Sequence, residues 1–186
     1  MESCFAHSYE VREISETTGA SPAPWYYPGA GREGMVNAGS FLQLRITPEI
    51  GEPWTGIFSA GDEAAATRIL SCPDPHWLCV ISHGAVYLVD SRNPRHWREP
   101  GVFPVEHALA APDAGLLLLA SFTNVEAWSM GGLVWRSARI SVDGLRSLRV
   151  EGAQLRGEGW YPDCWEEFTL DLRTGKHQGG PDLSGW

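Results

Sequence analysis

Basic charge is scarce in this sequence: 14 Lys and Arg stand against 23 Asp and Glu, a formal net charge of −9 over 186 residues. A surface of that sign repels a phosphate backbone, so no nucleic-acid partner is expected, whereas a basic protein suits it. Long apolar runs are missing too. The most apolar one, "GLLLLASF" at 115–122, falls far short of the ~20 residues that cross a bilayer, so no membrane partner is expected. The opening "MESCFAHSYEVREISETTGA" lacks the basic and apolar regions of a secretory signal, and the expectation is a cytoplasmic protein. Cysteine is sparse: Cys4, Cys72, Cys79 and Cys164 follow no framework spacing and read as free thiols that pack like small apolar residues. Catalytic signatures are lacking as well. There is no G-x-S-x-G, and no cysteine sits in a nucleophile motif. A hydrolase built from Cys and from His83, His96 or His107 is therefore kept only as an alternative.

What is abundant is tryptophan, with nine residues at 25, 54, 77, 97, 128, 135, 160, 165 and 186. Side chains of this size dominate cores or recognition surfaces. The length suits one domain burying roughly 70% of its unfolded surface. Residues 1–39, rich in Gly, Pro and Ala, show no sustained period and read as an irregular arm packed on the domain by "WYY" at 25–27. Residues 40–186 read as a single β-rich domain. "SFLQLRI" (40–46) alternates as a half-buried strand does, and "HWLCVIS", "AVYLVD", "GLLLLASF", "VEAWS", "LVWRSARISV", "LRSLRV" and "EEFTLDL" continue the β pattern. One short helix is expected over "GDEAAATRIL" (61–70), with Asp62 as its cap. His83-Gly84, Gly131-Gly132 and, most strongly, Asp143-Gly144 are expected hairpin turns. Trp128 and Trp135 are expected to pair across the second of these. The fold class is thus mainly β: an antiparallel meander, sandwich-like, barrel-like or of blade-like repeats, with one short helix.

The stretch "CPDPHWLCVISH" (72–83) places Cys72, His76, Cys79 and His83 in a spacing that invites a metal reading. Four donors on one zinc ion lie within about 4 Å of one another. In an extended strand Cys79 and His83 are about 13 Å apart. The reading adopted is a strand from Trp77 to Ser82 with Cys79 and Ile81 in the core, no metal and no cofactor. "GAGREG" (Gly29, Gly31, Gly34) matches a dinucleotide fingerprint in letters but lacks the flanking strand and helix that aim amides at a pyrophosphate, and it reads as a loop. Glu166 and Glu167, beside Asp163, are neighbours on a strand and so face opposite ways; "CWEEFTLDL" places Trp165, Glu167, Thr169 and Asp171 on one side. Trp25, Tyr26, Tyr27, Trp160 and Tyr161 are the candidate binding surface, because exposed rings concentrate binding energy.

Aligned on Asp90, Ser129 and Asp171, which lie 39 and 42 residues apart, the segments "VYLVDSRNPRHW", "VEAWSMGGLVW" and "EFTLDLRTGKHQGG" resemble propeller blades. "LDLRTGK" (170–176) resembles the strand-turn D-x-x-TG-K of quinoprotein-type repeats. The stretch "LLLLASFTNVEAW" followed by "GLVWRSARISVDGLRSLRV" is similar to small uncharacterised bacterial β-rich proteins, a resemblance that implies no activity. The function expected is a non-catalytic, cytosolic protein-binding module, such as a toxin-neutralising or regulatory partner. The alternatives are a carbohydrate- or peptide-binding module using Trp and Tyr, and the Cys/His hydrolase.

Overall fold

The computed structural model describes residues 1–15, 23–28, 41–62 and 64–184. Apart from one 3-10 turn, Pro112–Ala114, the regular structure in them is β. Contacts separate two compact units, Met1–Pro104 and Val105–Trp186. Each holds two four-stranded sheets.

In the first unit, sheet 1 runs β1-β3-β4-β2, built from β1 (Tyr9–Glu13), β2 (Trp25–Tyr27), β3 (Phe41–Pro48) and β4 (Trp54–Ser59). Strand β3 alternates as expected, with Leu42, Leu44 and Ile46 buried between half-buried Gln43 and Arg45. Two strands come from the arm that was expected to be irregular. They cover the open edges of the β3–β4 hairpin, which removes unpaired backbone: β1 is antiparallel to β3 and β2 is parallel to β4. The sequence hid them because β1 buries only Tyr9 among its five residues and β2 is a three-residue strand held by its rings, so neither has a period to detect.

Sheet 2 is the meander β5 (Arg68–Ser71), β6 (Trp77–Ser82), β7 (Ala85–Asp90) and β8 (Asn93–Arg98). Rows of buried side chains from both sheets, among them Leu44, Phe58, Val80 and Tyr87, form one core. The expected helix at 61–70 is absent from the described residues there. Asp62 does start a turn, its carboxylate accepting from Ala64 N at 2.9 Å, but Ile69 and Leu70 then pair with Val80 and Cys79. Sheet pairing and burial outweigh the helix preference of three alanines, each worth a few tenths of a kcal/mol. The edge of β5 is closed by the N-terminus: Glu2 N donates to Ile69 O at 2.7 Å, Ser71 N donates to Glu2 O at 3.0 Å, and the Glu2 carboxylate pairs with Arg68 at 2.6 Å. That arginine holds the Glu2 carboxyl below its ordinary range.

In the second unit, sheet 3 is the meander β9 (His107–Ala111), β10 (Leu116–Ala120), β11 (Val125–Ser129) and β12 (Gly132–Arg136), and sheet 4 the meander β13 (Leu145–Glu151), β14 (Gln154–Tyr161), β15 (Cys164–Asp171) and β16 (His177–Gly179). Leu116, Leu118, Val125 and Ala127 of sheet 3 share a core with Leu155, Phe168 and Leu170 of sheet 4. Leu117 and Leu119 are also fully buried, so β10 is covered on both faces and its sequence runs apolar without alternation. Asp90, Ser129 and Asp171 each end the third strand of a four-stranded meander. The repeat read from the sequence is therefore a sheet-long, blade-like unit.

Two expectations need correction here. Asp143-Gly144 makes no hairpin; it leads from sheet 3 into β13, and Gly144 stands there because a Cβ would meet the Trp165 ring at 3.0 Å. Trp128 and Trp135 do not face each other. A register shift after Ala127 sets Trp135 opposite Ala127 and Trp128 opposite Leu133, the offset a one-residue bulge produces. Trp135 thus enters the core and donates to Leu172 O at 2.8 Å, while Trp128 donates to the buried Glu126 carboxylate at 3.0 Å.

Candidate binding face

Strand β6 is extended from Trp77 to Ser82 and pairs on both sides, with Cys79 opposite Leu70 and Leu88. Cys72 and Cys79 are buried, and burial raises both thiols, Cys79 to about 12. His76 Nδ1 lies 2.6 Å from Ser8 Oγ, a hydroxyl that also donates to Pro75 O at 3.2 Å. His83 sits in the β6–β7 turn with a φ of 47°, and Gly84 follows at 76°, the positive pair that a two-residue hairpin turn needs. Among the described residues, no group of three or more His, Cys, Asp or Glu side chains is placed to hold a metal ion. Gly29, Gly31 and Gly34 lie outside the described residues.

The five candidate aromatics separate. Tyr27 is 2% exposed; it stacks on Phe58 with centroids 4.6 Å apart and planes at 4°, and its hydroxyl donates to Pro94 O at 2.8 Å. It is a core residue, since strand alternation turns it inward while its neighbour Tyr26 is 68% exposed. Trp25 is half-buried under the Arg95 guanidinium. In the second unit Trp160 and Tyr161 are half-buried at the end of β14. Trp160 faces Trp165 across the β14–β15 ladder, and the Arg146 guanidinium lies 4.1 Å from the Trp165 ring centroid, a cation–π contact.

That tryptophan pair ends a larger polar face. Register puts its residues in rows across sheet 4: Arg146, Glu158 and Glu167; then Arg149, Arg156, Thr169 and Gln178; then Glu151, Gln154 and Asp171. Between the first two rows β13 bulges, with Ser147 at a φ of 53°. Each arginine is tethered through Nε: Arg146 to Glu158 at 2.7 Å, Arg149 to Glu151 at 2.6 Å, and Arg156 to the other oxygen of Glu151 at 2.9 Å. The hydrogen bonds from Arg149 and Arg146 hold Glu151 and Glu158 below the usual carboxylate range. A pocket of about 290 Å³ opens on this face, lined by Ser147, Arg149, Arg156, Glu158, Glu167, Thr169 and Gln178 with Gly157 and Phe168. The expected grouping of Trp165, Glu167, Thr169 and Asp171 on one side holds.

Arg156 and Glu158 were not found from the sequence because β14 itself was not, and without β14 the register that brings Arg146 and Arg149 of β13 onto this face was missing too. The inward positions of β14 are Leu155, Gly157 and Gly159, and two glycines in a row of three erase the apolar half of the alternation. The glycines are needed: a Cβ on Gly157 would come within 2.4 Å of Leu148 Cδ2, and one on Gly159 within 2.9 Å of Ile140 O. The usable signal was Pro162-Asp163 as a turn, since reading back from it puts Trp160, Glu158 and Arg156 opposite Trp165, Glu167 and Thr169.

No protein-family model matches the chain, and no curated protein matches it. Among solved structures, the chain is similar to dihydro-heme d1 dehydrogenase NirN in complex with DHE, at 15% identity and a TM-score of 0.49, over 88% of this chain and 37% of that one. The chain therefore spans well under half the length of that protein.

Proposed function

We propose that this chain is a non-catalytic protein-binding module that docks its partner on the polar face of sheet 4. The observation that carries the reading is the set of three arginines fixed at Nε by glutamates beside the Trp160–Trp165 pair. Tryptophan and arginine are the residues that dominate binding energy at interfaces. An arginine already held in place loses little further freedom on binding, while its Nη edge still offers donors to a partner. The formal charge of −9 adds a long-range attraction for a basic partner. The thiol chemistry of a hydrolase has little support, since Cys72 and Cys79 are buried with raised thiols, desolvation and Glu166 raise the exposed Cys164 thiol too, and a nucleophilic cysteine needs the reverse.

The test compares partner capture from source cells by the immobilised chain and by the triple variant Arg146→Gln, Arg149→Gln, Arg156→Gln. The expected result is a protein retained by the parent and by Tyr26→Ala but reduced at least tenfold with the triple variant, about 1.4 kcal/mol or more. Equal retention by parent and triple variant removes this face from the reading.

A further inference from the structure

The charges in the sheet 4 pocket are segregated. Arg149 and Arg156 face each other across β13 and β14, and Glu158 and Glu167 face each other across β14 and β15. Like charges directly opposite on neighbouring strands are unfavourable, and here two such pairs sit side by side. Each pair has one counter-ion where it needs two. The arginines share Glu151; Glu158 is bonded by Arg146 and feels Arg149 as well, while Glu167 makes no ion pair among the described residues. The pocket thus has a positive pole in excess by one charge and a negative pole in excess by one.

We propose that this pocket binds a small zwitterion, in the first place a free α-amino acid, its carboxylate on Arg149 and Arg156 and its ammonium between Glu158 and Glu167. The inference rests on the binding face just described. Arg156 and Glu158 are two residues apart on one strand, about 6.6 Å between Cα atoms. In an α-amino acid the ammonium nitrogen and carboxyl carbon are about 2.5 Å apart, and a charged hydrogen bond of about 2.8 Å at each end spans about 8 Å. Side chains that reach above the sheet bridge that span. Ser147, Thr169 and Gln178 complete a lining that is polar apart from Gly157 and Phe168. Such a lining disfavours an apolar ligand, which leaves these groups unpaired. A simple anion or cation satisfies one pole and meets repulsion at the other. A neutral sugar calls for donors and acceptors interleaved, not gathered at opposite ends.

Isothermal titration and thermal shift with glycine, acetate, methylammonium and glucose at equal concentration test the proposal. Glycine is expected to bind saturably and raise Tm, as any ligand of the folded state does, while the three controls bind at least tenfold more weakly. Glu167→Gln and Arg156→Gln, both at exposed positions, are each expected to weaken glycine at least tenfold and to melt with the parent when no ligand is present. The proposal is overturned if acetate, methylammonium or glucose matches glycine, if no zwitterion binds the parent, or if Glu167→Gln binds as the parent does. Partner capture is scored separately: a parent protein that captures its partner but binds no glycine removes the zwitterion and leaves the protein-binding reading standing.

Discussion

Replacing Tyr27 by alanine separates a ring that holds the fold from a ring that meets a ligand. The side chain is stacked on Phe58, edge-on to Trp97 with centroids 5.6 Å apart, and within 6.3 Å of Trp54 and 6.2 Å of Tyr87. Deleting a buried aromatic ring costs about 3–5 kcal/mol. For a chain of this size that lowers Tm by about 6–20 °C. Tyr27→Phe keeps the ring and removes only the bond to Pro94 O, about 0.5–1.5 kcal/mol and so about 1–6 °C. Burial also pushes the Tyr27 phenol above its ordinary range. Calorimetry on the two variants gives the order Tyr27→Ala well below Tyr27→Phe, and Tyr27→Phe slightly below the parent. A Tyr27→Ala protein that melts within about 2 °C of the parent, the behaviour of an ordinary surface site, refutes the core assignment.

Glu126 has no exposed side-chain surface and pairs with Arg136, which is half exposed; Arg136→Ala removes a cation from a buried carboxylate and is expected to cost about 3 kcal/mol, read as a lower urea midpoint at unchanged slope, with a loss below about 1 kcal/mol counting against it. Desolvation and the neighbouring Glu166 raise the exposed Cys164 thiol, so Glu166→Gln lowers its pKa, increases the thiolate fraction at a given pH and shifts the labelling profile towards lower pH; an unchanged profile denies Glu166 that role.

The strands that were legible from sequence are those whose alternation or continuous apolar character survives in the letters. Leu42, Leu44 and Ile46 gave β3 by period 2, and the run at 116–120 gave β10 because both its faces are buried. Strands whose letters keep no period did not show: β1 and β2 are edges, and β14 carries glycine where a core side chain belongs. The expected helix failed for the same reason in reverse. Alanine favours a helix locally, but pairing of Ile69 and Leu70 with β6 decides the segment. For the binding face, Trp160 was visible as a large ring and Trp165, Glu167 and Thr169 as an alternating row. Their partners became visible only with the register, because which charges face each other is a property of two strands and not of one.

The decisive observation on the sheet 4 face is oxidative footprinting of the chain with and without the partner it captures. Trp160 and Trp165 are half-buried and open to labelling when the protein is free. Docking on sheet 4 protects both rings and leaves Tyr26, 68% exposed in the first unit, as reactive as before. Protection confined to Trp25 and Tyr26, with Trp160 and Trp165 labelled at their free rate, contradicts it.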